Sequence, residues 1–100
     1  MDKTFSAVEG RSVDILCGAA GNPTPLISWY KNGLKILPSN GSVAGNIKIM
    51  DENMRLRIDP VLETDFGVYK CVARNILGED SKQGVLFVRS EYFTLSLIAA

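Results

Sequence analysis

Apolar and polar residues alternate with a period of two along most of this chain, the spacing of strands with one buried and one solvated face. Phe5 and Ala7 open the pattern, which turns at Glu9-Gly10. Val13, Ile15 and Cys17 then alternate with Ser12, Asp14 and Leu16. Gly18 to Thr24 reads as a loop. In Asn22-Pro23-Thr24-Pro25 each proline fixes its own φ and pushes its predecessor out of the helical region, so no helix passes there. Leu26 to Lys31 is a strand with Ile27 and Trp29 inward and Ser28 and Tyr30 outward. Asn32-Gly33 supplies the positive φ of a tight hairpin turn, and a short strand returns through Leu34 to Leu37.

The second half repeats the pattern. Pro38 to Gly45 is loop-like in composition. Ile47 and Ile49 mark one strand, Leu56 and Ile58 the next, and one of Val61 and Leu62 caps the core from the turn before Asp65. From Gly67 to Asn75, Tyr69, Cys71 and Ala73 share one side, and Val68, Lys70 and Val72 the other. Ile76-Leu77-Gly78 turns, and a last strand runs from about Ser81 to Arg89 with Leu86 and Val88 inward and Val85 and Phe87 outward. A shift of one residue in that last strand would exchange the two pairs, and the pattern alone leaves both registers open. The fold class expected is all-β.

Six motifs stand in order at compatible spacing: Glu9-Gly10-x-x-Val13-x-Ile15-x-Cys17, Gly21-Asn22-Pro23-x-Pro25, Trp29-Tyr30-Lys31-Asn32-Gly33, Leu56-x-Ile58, Asp65-x-Gly67-x-Tyr69-x-Cys71 and Ala73-x-Asn75-x-x-Gly78. Together they resemble an immunoglobulin-superfamily domain of the I-set type, over roughly Phe5 to Arg89. The resemblance implies a two-sheet Greek-key sandwich with an inter-sheet disulfide Cys17–Cys71, Trp29 packed on it, and Tyr69 at the tyrosine corner. Trp29, Tyr69 and Leu56 are the expected core. The alternative is two buried free thiols, as in an intracellular immunoglobulin domain. A bonded pair implies an oxidising compartment. Asp65 is expected to bond backbone donors at its corner, and the resemblance implies a basic residue from strand D of the family, that of Ile47 and Ile49 here, as a further partner. Only Lys48 is near that place here.

The 100 residues fit one domain, taken as 1–89, with 90–100 as an apolar tail or truncated linker. That tail is too short to span a bilayer, which takes about 20 residues, though it also fits the start of a longer membrane segment. Nothing in Met1 to Phe5 reads as an export signal, which taken literally keeps the chain in the cytosol, against a disulfide; the preferred reading is a module cut from a longer secreted or membrane-anchored protein, with Met1 added or internal.

Eleven Lys and Arg balance eleven Asp and Glu, which leaves no broad field for nucleic acid or an anionic membrane. The absence of histidine excludes Ser-His and Cys-His nucleophile pairs and histidine metal sites. No cofactor is expected. Asp14, Asp51, Glu52, Glu63 and Asp65 are read as surface charge and corner bonding rather than a catalytic or calcium set.

Function is therefore expected to be binding. Tyr30, Val68, Lys70, Val72, Val85 and Phe87 gather on the outer face of the strands that correspond to G, F and C of the family, with Leu34 at the edge. A solvated face is normally polar, and contiguous apolar area marks interfaces. A second candidate is the tip Asn75 to Glu79 beside the Gly21 to Thr24 loop. Asn40-Gly41-Ser42 is a glycosylation sequon on a surface loop, a pattern that also arises by chance.

Gly21 to Pro25 and Gly84 to Val88 are similar to ectodomain modules of receptor tyrosine phosphatases and of receptor kinases of the Ror and muscle-specific types. The resemblance implies a non-enzymatic recognition module of a cell-surface adhesion molecule or receptor, extracellular, with a protein partner: another immunoglobulin-like domain, homophilic pairing included, or an extracellular ligand. Any membrane contact would run through a flanking segment. The alternative is a structural spacer of an intracellular muscle filament protein.

Overall fold

The computed structural model describes residues 3–37, 45–90, 97 and 99. Eight strands form: β1 Lys3–Val8, β2 Val13–Leu16, β3 Leu26–Lys31, β4 Leu34–Ile36, β5 Ile47–Met50, β6 Arg55–Ile58, β7 Gly67–Asn75 and β8 Gly78–Arg89. A 3₁₀ turn, Glu63–Asp65, precedes β7. One sheet has the order β1-β8-β7-β3-β4 and the other β2-β6-β5. All pairings are antiparallel except β1 with β8.

Strands form where the alternation put them, and the inward set builds one core between the sheets. Ile15, Ile27, Trp29, Ile36, Ile47, Leu56, Ile58, Val61, Tyr69 and Leu86 are buried, with Phe5, Ile49 and Val88 packed against them. Leu86 is fully buried and Phe87 is 47% exposed, so the last strand keeps the register with Leu86 inward. Val61 caps the core, whereas Leu62 is exposed. The disulfide Cys17–Cys71 ties the end of β2 to β7 across the layers, with Cα atoms 6.2 Å apart. Trp29 lies directly opposite Cys71 in the β3–β7 register.

Three expectations shift at the edges. The last strand starts at Gly78 rather than Ser81, because β7 and β8 pair up to Asn75 opposite Gly78, leaving only Ile76 and Leu77 in the turn. The strand after the Asn32-Gly33 turn stops at Ile36. Leu34 pairs with Lys31, whose side chain lies on the inner side over Tyr69, so Leu34 does not share the outer face with Tyr30. Asn40 and the rest of its loop lie outside the described residues, as does most of the 90–100 tail.

One glycine decides how β1 docks. A Cβ on Gly84 would lie 2.5 Å from Cε2 of Phe5 and 2.9 Å from the carbonyl oxygen of Lys3. The Phe5 ring thus crosses β8 where there is no side chain. Gly84→Val is expected to cost about 1–3 kcal/mol through overpacking, as a lower urea midpoint, with faster amide exchange at Phe5 to Val8. Unchanged exchange there would show that β1 does not depend on this contact.

Candidate protein-recognition face

The outer face of the five-stranded sheet is assembled by register. Tyr30 lies opposite Lys70, and Lys70 opposite Gln83. Val68 lies opposite Val85, which faces Thr4 in turn. Val72 is flanked by Ser28 and Ser81. Phe87 lies opposite Ser6. Tyr30, Val68, Lys70, Val72 and Val85 are each half-buried on this face.

Phe66 joins this patch. It follows the 3₁₀ turn and precedes β7, is 53% exposed, and stacks at a tilt on Phe87 with ring centroids 5.5 Å apart. Phe66, Phe87, Val85 and Val68 therefore make one apolar cluster, separated from Val72 by Lys70. Alternation begins only at Gly67, so the strand pattern gave no direction for Phe66.

The corner beneath this patch is rigidly bonded. The Tyr69 hydroxyl donates to the Asp65 carbonyl oxygen at 2.7 Å, and burial together with the Asp65 charge pushes its pKa far up. The Asp65 carboxylate accepts from the Leu62 backbone N–H at 2.7 Å and from the Asn46 side-chain amide at 2.9 Å. Asn46, immediately before β5, thus takes the place considered for Lys48. Lys31 donates to the Thr64 carbonyl oxygen at 2.7 Å, with its ammonium 5.9 Å from the centre of the Tyr69 ring.

The other sheet carries an ion network on its outer face. Arg57 grips Asp14 with two hydrogen bonds, at 2.8 and 3.0 Å, and Arg55 adds a third at 2.6 Å while bonding Asp51 at 2.7 Å. Asp14 and Arg57 are direct cross-strand neighbours. The bonds from Arg57, then those from Arg55, bring the Asp14 pKa down from 3.8 to about 2 against the opposing effect of partial burial. Its folded pKa lies below the unfolded value, so this contribution is complete above about pH 4 and is lost as pH falls through about 2. With the pair partly solvated and screened, Asp14→Asn is expected to cost no more than about 1 kcal/mol at pH 7. Its melting temperature should approach that of the parent as pH falls to about 2 and meet it below; a gap that does not narrow would assign the effect to packing.

At the far end, Ile76 and Leu77 are 87% and 78% exposed, joined by Leu26 at 77%. The Asn75 side-chain amide donates to the Pro23 carbonyl oxygen at 2.9 Å, fixing this tip to the Gly21 to Thr24 loop. Among the described residues no group of three or more His, Cys, Asp or Glu side chains is arranged to hold a metal ion.

The profile of the immunoglobulin I-set domain matches residues 2–88. This chain is an immunoglobulin I-set domain. It is 32% identical over 82 residues to human myelin-associated glycoprotein, covering 82% of this chain and 12% of that protein's length. Tandem immunoglobulin repeats of Dlar superpose with a TM-score of 0.75 at 34% identity, over 90% of this chain and 46% of theirs. The titin M3 domain gives 0.73 at 30% identity, over 87% and 88%. The I-set domain is thus related both to immunoglobulin domains of cell-surface receptors and adhesion molecules and to those of titin, and the family is generally non-enzymatic.

Proposed function

We propose that this I-set domain is a non-enzymatic recognition module of a cell-surface adhesion molecule or receptor, and that it engages a protein partner through the outer face of β8, β7 and β3. The observation that carries this is the Phe66–Phe87–Val85–Val68 cluster, contiguous apolar side chains on a face that no second layer covers among the described residues. Tyr30 and Phe87 are of the residue types that anchor interface centres. The cross-sheet disulfide supports an oxidising, extracellular setting.

Screening the immobilised domain against a panel of cell-surface ectodomains is the test. Phe87→Asp and Val72→Glu should each weaken the binding of any partner found by tenfold or more, while Leu16→Asp on the opposite sheet leaves it unchanged. Equal binding by all three variants, each with a parent-like melting curve, would remove this face from consideration.

A second reading, a spacer in a muscle filament protein, is favoured by the likeness to titin M3, a single domain matched over most of its length. Thiol counting on the protein from its native source separates the two. Two free thiols would favour the spacer.

A further inference from the structure

We infer that the partner of this face is an acidic protein surface, an apolar centre ringed by carboxylates, and not a second copy of the same face. This deepens the assignment of the face above and rests on it. Alternation along four strands decides which charges the face carries. Lys35 lies opposite Tyr30 and so shares its side of the sheet. Lys70 stands between Val68 and Val72, and Arg89 follows Phe87 by two positions. Arg74 is on this side too, but it is bonded at 3.2 Å to Glu79, the one carboxylate that the strands supply to this face.

Lys35, Lys70 and Arg89 are left with no carboxylate partner among the described residues. This happens in a chain whose basic and acidic residues are equal in number, eleven of each. Four of the acids lie elsewhere: Asp14 and Asp51 are held by the arginines of the opposite sheet, Asp65 is buried in its corner, and Asp80 is on the inner side of β8 opposite Ala73.

Covering the face from the apolar cluster to Val72 strips water from Lys70, which stands between them. A cation that loses water without gaining a counter-charge opposes association, whereas a facing carboxylate offsets the loss and speeds encounter. Two copies of this face brought together would instead place six unmatched cations in one contact, counting three from each copy. A sulfated glycan would satisfy the cations but leave Phe66, Phe87, Val85 and Val68 with nothing apolar to meet. A protein surface satisfies both.

The probe is a display library of one small helical protein whose exposed face is randomised equally among Leu, Tyr, Ser, Glu and Lys, selected on the immobilised domain at low salt. Binders that lose affinity to Phe87→Asp report on this face. Among them Glu should outnumber Lys by about threefold or more. Lys35→Glu/Lys70→Glu, checked for a parent-like circular dichroism spectrum, should weaken them by about tenfold or more, and Arg89→Glu in the same direction. If every binder is indifferent to Phe87→Asp, the face itself is wrongly assigned. If face binders carry Glu and Lys equally, or keep their affinity for the charge-reversed domain, the face stands and the acidic partner is overturned. Tighter binding of a heparin oligosaccharide than of the selected proteins, abolished by Phe87→Asp, or a dimer of the domain abolished by that change, would likewise overturn it.

Discussion

Replacing Cys17 and Cys71 together with alanine is expected to lower the stability of the domain by about 4 kcal/mol. The bridge closes a loop with a sequence separation of 54, and the loss of unfolded-chain entropy on closing a loop of that length gives the figure in the chain-entropy description. A domain of this size has about 5–15 kcal/mol in total, so the variant should be marginal at 37 °C. Urea unfolding followed by Trp29 fluorescence measures the loss. Because the constraint acts on the unfolded chain, the variant should also unfold with a steeper denaturant dependence, as its denatured state expands. Reducing the parent protein under urea should give the same midpoint as the double variant. A midpoint within experimental error of the oxidised parent would mean that core packing alone holds the two sheets.

Strand positions were legible in the sequence because burial on one face writes a period of two into the residues. Val13-x-Ile15-x-Cys17 and Tyr69-x-Cys71-x-Ala73 carry that period plainly. The order of the cysteines, the tryptophan and the tyrosine resembles that of an immunoglobulin domain, and it is this resemblance that implies which strands face each other. What the alternation could not fix is the phase of a strand apolar on both sides: Val85 to Val88 fits either register. In the structure Leu86, which pairs with Phe5, is the fully buried residue.

Contacts between elements distant in sequence were less legible. Asp14 and Arg57 are 43 positions apart, and nothing local announces their pairing, although both stand at outward positions. Asn46 at the Asp65 corner carries no local signal, because a neutral amide stands where the family resemblance implies a base. Phe66 was missed because it lies just outside the strand whose alternation would have oriented it. Each of these contacts is made by a residue whose direction is set by a turn or by a partner strand, and neither leaves a periodic trace.

Trp29→Ala is expected to be the most damaging single substitution, at about 3–5 kcal/mol. The indole is only 2% exposed and lies opposite Cys71 in the register, so its removal opens a cavity against the disulfide at the centre of the core. It also leaves the Asn53 carbonyl oxygen without the indole N–H that donates to it at 2.7 Å. That bond reaches from β3 in one sheet to the turn between β5 and β6 of the other, where Asp51, Glu52 and Asn53 all hold positive φ angles of 55, 56 and 69°. Three consecutive non-glycine residues in that region are unfavourable alone and persist only where surrounding contacts fix them. Trp29→Phe therefore separates two effects: it restores most of the volume but not the bond. It should recover more than half of the lost stability, yet leave amide exchange in the 51–54 turn faster than in the parent. Combining Trp29→Ala with the cysteine double variant should cost less than the two losses added, because indole and disulfide share one contact. Strict additivity would mean that the tryptophan stabilises each sheet separately, and that the bridge, rather than their joint packing, sets the spacing between them.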